Sequence, residues 1–146
     1  MQLSTTRFGQ VHFEIDDILH FPQGLVGFED SRHWILLADA DNEALGWLQS
    51  MHRPDIALPV ISPRRFVPGF QVHVSKKQLA PLELTQFDHA FVLSVVSKSG
   101  DELTVNLRAP LIVNLDRRLG RQVITIDEQP VALSLVAPAV KFRKIA

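Results

Sequence analysis

Apolar and polar residues alternate along most of this chain with the period of short, half-buried strands. In residues 10–15, Val11, Phe13 and Ile15 fall on one side and polar residues fall on the other, as a strand with one buried face requires. Further predicted strands cover residues 18–21, 34–37, 45–50, 56–61, 70–74, 90–96 and 131–136. Short strands at roughly 8–12-residue spacing are typical of an all-β barrel or sandwich.

The densest strand signals lie in residues 102–127. Pro110 interrupts the ladder there, because proline has no N–H to donate, and residues 111–115 resume an extended apolar run. The connection that follows predicts a tight turn in which Gly120 takes a positive φ. Residues 122–126 are β-branched and extended again. Three strands in so short a stretch predict antiparallel neighbours.

Helical turns are predicted only around residues 76–85, where Pro81 limits their length, while residues 63–69 predict an irregular or one-turn connection. The whole pattern predicts a mainly all-β fold: a compact antiparallel β-barrel-like single domain with one or two short helical turns. We expect this domain to span residues 1–137 and residues 138–146 to form a loose C-terminal tail.

Composition and charge narrow the classes of function. The formal net charge is −1, so no overall field draws the chain to nucleic acid or to an anionic membrane. Cysteine is absent, which excludes disulfides, thiolate zinc sites and a cysteine nucleophile. The N-terminus lacks the apolar core of a signal peptide, and residues 129–140, the longest uncharged run, are too few to span a bilayer. We therefore expect a cytoplasmic protein with no membrane or direct nucleic-acid partner.

The residue types that carry catalysis do not form a recognisable constellation. The six histidines are scattered without metal-ligand spacing. His89 follows Asp88, but adjacent residues on a strand point to opposite faces. The sequence has no P-loop, dinucleotide-binding fingerprint or G-x-S-x-G elbow. These observations predict a binding module that is not an enzyme, with no catalytic residue, cofactor, metal or small-molecule substrate.

Polar residues inside apolar-patterned strands are the first candidates for partner binding. Asn106, Arg108 and Asn114 are of this kind, although most such residues simply occupy the solvent side of a strand. The sharper interpretation is that Arg108, beside the break at Pro110, presents its guanidinium fork to a partner carboxylate. A bulged strand edge at Pro110 is also suited to accept a partner segment.

The loop of residues 21–30 is the second candidate region, because Gly24 and Gly27 punctuate it. Its apolar anchors are predicted to be Leu25, Val26 and Phe28. Phe28 is expected to plug the end of the core, since an exposed loop aromatic is a liability unless it binds something. Gln23 lies in the same loop, and Gln23 and Phe28 join the candidate partner-binding residues.

At these residues the chain resembles the flagellar assembly factor FliW family over nearly its full length. The resemblance rests on residues 21–29, 47–50 and 57–61, and most specifically on residues 104–114 followed by residues 120–124. It implies a compact antiparallel β-barrel-like fold. It also implies two protein partners. One is CsrA, a translational repressor whose mRNA binding these proteins antagonise, and the other is flagellin, which competes with CsrA in a mutually exclusive partner switch.

Two alternative functions stay open on the sequence. A flagellin-specific chaperone without a translational role has the same fold. A small β-barrel that binds RNA directly predicts a contiguous basic face with exposed aromatic side chains.

Overall fold

Strands dominate the computed structural model, which describes residues 1–86 and 89–135. In chain order they are β1 (Gln2–Thr5), β2 (Gly9–His12), β3 (Ile18–His20), β4 (His33–Ala38), β5 (Leu45–Ser50), β6 (Ala57–Ile61), β7 (Ala90–Ser99), β8 (Glu102–Val105), β9 (Leu111–Asn114), β10 (Leu119–Gln122) and β11 (Leu133–Ser134). The helical turns in these ranges are α1 (Pro63–Phe66), α2 (Lys76–Leu79) and the 3-10 turns Ile15–Asp17 and Ala80–Leu82. Asp88 and the tail predicted for residues 138–146 lie outside the described residues.

Seven strands close into a barrel in the order β7-β6-β5-β4-β3-β10-β9, with β9 returning to β7. Neighbouring strands are antiparallel except β3 and β10, which run parallel and meet at His20 and Leu119. The hairpin of β1 and β2 forms a separate two-stranded sheet. Closure leaves the seven barrel strands without a free sheet edge, and it confirms the predicted mainly all-β, barrel-like fold.

The long strand β7 joins the barrel to its extension. Its first residues pair with β9 and its last residues pair with β8. β8 and β9 therefore lie end to end along one edge of β7, and residues 106–110 between them leave the ladder as a bulge. The predicted antiparallel pairing is confirmed for β9 and β10. For β8 and β9 it is wrong, because both strands pair with β7 and not with each other.

Apolar side chains fill the barrel and also cover part of its outer wall. Phe21, Trp34, Leu48 and Val60 are fully buried in the barrel interior, and burying each large side chain contributes about 1.5–3 kcal/mol. Two smaller buried clusters lie on the other face of β7 and β9, because side chains alternate along a strand. Their buried members are Ile61, Phe70, Val96, Val105, Leu107 and Leu135 in one cluster and Leu82, Val92, Ile112 and Val123 in the other.

The strap, residues 62–86, covers this outer face and contains both α-helical turns. The predicted helical turns at residues 76–85 and 63–69 are confirmed by α2 and α1. The strand predicted for residues 70–74 is wrong, although burial alternates there as expected. This segment follows the barrel wall and is tied to it by a backbone hydrogen bond from Ile126 N to His73 O of 2.7 Å.

Gly120 has a different role from the one predicted. The turn of residues 115–118 ends before it, and the positive φ of 54° belongs to Arg118. Gly120 lies inside β10, and a Cβ added to it would overlap the ring of Phe21. A glycine is therefore required here by the close approach of an aromatic ring and not by backbone conformation.

The first predicted strand ends earlier than expected. β2 stops at His12, and Ile15 begins a 3-10 turn with its side chain 65% exposed. The cause is local hydrogen bonding, since Glu14 N donates to Asp17 Oδ2 at 2.8 Å and Asp17 N donates to Glu14 O at 3.0 Å. This reciprocal cap turns the chain before the alternation of residues 10–15 is complete.

Replacing Gly120 by alanine is expected to lower the free energy of unfolding by about 1–3 kcal/mol, because the added methyl group overpacks the barrel against Phe21. Urea denaturation measures the change. The matched control is the double variant Gly120→Ala with Phe21→Leu, in which the smaller side chain makes room and the two losses combine to less than their sum. Strict additivity, or full stability of Gly120→Ala alone, would contradict this packing account.

Candidate partner-binding surface

One asparagine side chain shapes the bulge between β8 and β9. Asn106 Oδ1 accepts hydrogen bonds from Arg108 N at 3.0 Å and from Ala109 N at 3.1 Å, which is the local turn that asparagine favours. Leu107 and Ala109 are buried, whereas Arg108 between them is exposed. The Arg108 guanidinium makes no hydrogen bond or ion pair within residues 1–86 and 89–135. The turn therefore aims a free cationic group at solvent.

The residues after β10 hold the bulge from its other side. Val123 N donates to Pro110 O and Thr125 N donates to Arg108 O, both at 3.0 Å. The strand predicted for residues 122–126 is therefore hydrogen-bonded to the bulge, but the regular ladder ends at Gln122. These bonds satisfy backbone carbonyls that the bulge takes out of the sheet.

Gln122 joins the bulge to the loop of residues 21–30. Its Oε1 accepts a hydrogen bond from Val26 N at 2.8 Å, and its Nε2 donates to Ala109 O at 3.1 Å. The two regions that the sequence singles out separately are therefore neighbours at one end of the barrel.

The loop of residues 21–30 folds tightly on itself. Gly24 has a φ of +68°, and a Cβ there would lie 2.7 Å from backbone atoms of Glu29. Phe28 is half-buried and packs edge-on against Trp34, with ring centroids 6.3 Å apart. Leu25 is buried, whereas Val26 at the tip of the turn is 74% exposed.

Val26, Arg108, Ile124 and Ile126 are all exposed at this end of the barrel, and together they are called the bulge face. Ile124 is 48% exposed and Ile126 is 73% exposed, and both flank Thr125, whose N–H bonds to Arg108 O. The Gln122 bridge brings Val26 to the same end. Exposed apolar residues near an arginine whose guanidinium has no partner within the described residues have the composition of a protein-interaction site, where arginine is enriched.

The six predicted partner-binding residues divide into two groups. Gln23 and Arg108 are exposed. Asn106, Pro110 and Phe28 are buried or half-buried and hold the bulge and the loop in shape.

Asn114 belongs to the second group, because it is only 3% exposed. Its Nδ2 donates to Leu82 O at 2.8 Å, and its Oδ1 accepts from Asp116 N at 3.1 Å. The side chain therefore fixes the strap and the β9–β10 turn to the barrel.

Sequence reasoning missed three members of the bulge face and, in addition, the Gln122 side chain that bridges the bulge and the loop. Val26 is predicted to be an apolar anchor, and the structure exposes it. Ile124 and Ile126 are assigned to a strand without a face, and their alternation with polar Thr125 favours buried isoleucine side chains, whereas the structure exposes both and buries Thr125. Gln122 carries no signal in the sequence, because both of its partners are remote along the chain.

Two titratable groups outside the bulge face have shifted pKa values. The Trp47 indole N–H donates to Asp39 Oδ1 at 2.9 Å, and this bond, with backbone N–H groups of the β4–β5 turn, lowers the pKa of Asp39. His20 and His33 stack across β3 and β4 with ring centroids 4.6 Å apart. Burial lowers the pKa of His20, and the charges of His33 and Arg32 lower it further.

Among the described residues, no group of three or more histidine, cysteine, aspartate or glutamate side chains is arranged to hold a metal ion. Within the same ranges, no helix is long and apolar enough to cross a membrane.

A closed β-barrel with an apolar, arginine-bearing surface at a strand bulge has the architecture of a small binding domain. The family model described as FliW protein matches residues 2–135 of this chain. The flagellar assembly factor FliW of Bdellovibrio bacteriovorus is 41% identical over 129 residues, which cover 87% of this chain and 74% of that protein. The flagellar assembly factor FliW of Caldanaerobacter subterraneus is 34% identical over 132 residues, 88% of each chain.

A solved structure agrees with these matches. The crystal structure of a flagellar assembly factor FliW superimposes with a TM-score of 0.84 at 26% identity, and the match covers 92% of this chain and 96% of that one. This chain therefore belongs to the FliW family of flagellar assembly factors, which confirms the resemblance drawn from its sequence blocks.

Replacing Gln122 by alanine is expected to detach the loop of residues 21–30 from the bulge. Losing the two side-chain hydrogen bonds should lower the free energy of unfolding by about 1–2 kcal/mol. Hydrogen exchange at Val26 N should become faster, because that N–H then faces water. Gln23→Ala in the same loop is the control, since its exposed side chain makes no hydrogen bond within the described ranges. Unchanged protection of Val26 N in Gln122→Ala would show that the bridge does not hold the loop.

Proposed function

We propose that this protein is a non-enzymatic regulator of flagellum assembly that acts through two protein partners. It binds the translational repressor CsrA and antagonises the binding of CsrA to mRNA. It also binds flagellin, and the two partners exclude each other, so that free flagellin withdraws the protein from CsrA. Membership of the FliW family supports this role in flagellar assembly. The proposal includes a cytoplasmic location and no cofactor.

The bulge face is the observation that carries the proposal. Arg108 has a guanidinium that is free within residues 1–86 and 89–135, and its backbone is hydrogen-bonded to Thr125, which lies between the exposed residues Ile124 and Ile126. A planar guanidinium recognises a carboxylate with two parallel hydrogen bonds. The backbone below it is fixed by Asn106 and by the N–H of Thr125, so the backbone loses little conformational freedom on binding.

A small domain with one such surface suits a partner switch. If both partners use the bulge face, steric exclusion alone makes their binding competitive. The effect on mRNA binding then requires only that the bound protein favours a CsrA state with lower RNA affinity. A coupling free energy of about 1–3 kcal/mol would change that affinity roughly 5–150-fold.

Direct RNA binding has less support from the structure. Binding of single-stranded nucleic acid uses exposed aromatic side chains on which bases stack. Phe13, Phe70 and Phe91 are patterned inward in the sequence; Phe13 and Phe70 are 7% and 6% exposed and offer no stacking surface, whereas Phe91 is 36% exposed.

A mixing experiment tests the proposed function. Purified protein and its cognate CsrA should co-elute in size-exclusion chromatography at micromolar concentration. Adding the protein should reduce the gel shift of a CsrA target mRNA, and adding flagellin should restore it. A complex with flagellin but none with CsrA would instead identify a flagellin chaperone without a translational role.

Replacing Arg108 by glutamate should weaken CsrA binding by at least about tenfold, or about 1.4 kcal/mol. The reason is that a negative charge then replaces the guanidinium of the bulge face and repels the partner carboxylate. Isothermal titration calorimetry measures the affinity, and thermal denaturation should show an unchanged midpoint. The matched control is Lys98→Glu, the same charge reversal on the exposed end of β7. If Arg108→Glu binds CsrA normally but is less stable, Arg108 is a structural residue.

A further inference from the structure

The backbone of Ile124 is hydrogen-bonded by a side chain where a neighbouring strand would normally lie. Ile124 N donates to Gln78 Oε1 and Gln78 Nε2 donates to Ile124 O, each at 2.9 Å. The Gln78 amide thus supplies one donor and one acceptor to a single residue. This is the exchange that a residue on an antiparallel strand makes with its directly opposite partner.

The path of the strap explains why a side chain takes this place. The strap backbone bonds to Ile126 through His73 O at 2.7 Å. It then turns into α2, which begins at Lys76, and its own peptide groups leave the barrel wall. The strap backbone therefore pairs with Ile126, whereas at Ile124 the Gln78 side-chain amide takes the place of a strap backbone group.

The side chains next to this edge are apolar and exposed. Ile124 and Ile126 are 48% and 73% exposed, whereas Thr125 between them is 5% exposed. This pattern places two apolar side chains on the same exposed face of the chain. An added strand would cover them with its own alternate side chains.

The Gln78 amide is not the only attachment of α2. Arg121 Nη1 donates to Gln78 O at 2.8 Å, and Ser75 Oγ accepts from Gln78 N at 3.3 Å. Leu79 packs on the cluster that contains buried Leu82. The position of α2 therefore does not depend on the Gln78 amide alone.

We propose that this edge accepts an extended segment of a partner protein, which displaces the Gln78 amide and pairs with the backbone of Ile124. The proposal rests on the proposed function and names how that partner is held. The occupant is a strand-forming segment with apolar side chains two residues apart, because the edge offers the N–H and C=O of Ile124 together with the exposed side chains of Ile124 and Ile126. Strand addition of this kind uses main-chain hydrogen bonds for affinity and side-chain pockets for specificity.

The opposing explanation is that Gln78 only protects an edge from other chains. Proteins cover exposed strand edges in order to prevent self-association. The two explanations predict different results when the amide is removed. If the partner has to displace the amide, its removal tightens partner binding. If the amide only protects the edge, its removal lets a second copy of this chain bind there.

The test uses Gln78→Met, which keeps the length and helix propensity of the side chain but removes both hydrogen bonds. Hydrogen exchange at Ile124 N should become faster in the free variant. Calorimetry with purified cognate CsrA, and separately with flagellin, should show that at least one partner binds roughly fivefold more tightly, because it no longer displaces the two hydrogen bonds. Gln78→Ala provides the same measurement with a shorter side chain. Gln71→Met, an exposed strap residue, is the matched control and should leave both affinities unchanged.

Three outcomes would overturn the proposal. In the first, the wild type binds its partners, but Gln78→Met and Gln78→Ala bind both with unchanged or lower affinity. This result leaves the proposed function standing. Another is self-association of the variants without tighter partner binding, which assigns Gln78 to edge protection. The third is that the wild type binds neither partner, and only this result also removes the proposed function.

Discussion

The sharing of one edge of β7 by two strands is the constraint on which the rest of the structure depends. Leu93 lies opposite Leu111, and Val96 lies opposite Val105. Two residues of β7 therefore face the five residues 106–110, and the excess leaves the ladder as a bulge. Because β9 continues into β10 and then to β3, this register is also the one that closes the barrel.

The backbone carbonyls of the bulge accept hydrogen bonds from residues outside it. Backbone groups that leave a sheet must find other partners if they are buried. The carbonyls of Arg108 and Pro110 receive N–H groups from the residues after β10, and the carbonyl of Ala109 receives the amide of Gln122. The segment after β10 also contains Ile124 and Ile126, which are exposed. Closure of the barrel and exposure of the bulge face are consequences of one register shift.

Much of the fold is readable from local patterns, and the failures have a common cause. The apolar runs of residues 90–96 and 111–115 identify β7 and β9, because a strand that is buried on both faces has a continuous apolar sequence. Gly120 is misread because its reason is the Phe21 ring, which is about a hundred residues away along the chain. A glycine signal alone does not separate a positive φ from a close approach.

The candidate surface is predictable to a similar extent. The break at Pro110 and the charge of Arg108 are visible locally, and the loop that contains Val26 is visible from its glycines. That these regions meet depends on the side chain of Gln122, and the edge at Ile124 depends on the path of the strap. Long-range side-chain hydrogen bonds leave no periodic signal, so only the folded structure shows them.

Hydrogen exchange of the complex with CsrA tests the central claim most directly, since it reports which backbone amides the partner covers. The account predicts slower exchange at residues 106–110, at residues 122–126 and at the tip of the loop around Val26, with little change elsewhere in the barrel. Slower exchange confined to the β1–β2 hairpin or to the α1 turn, with the bulge face exchanging as in the free protein, would contradict it.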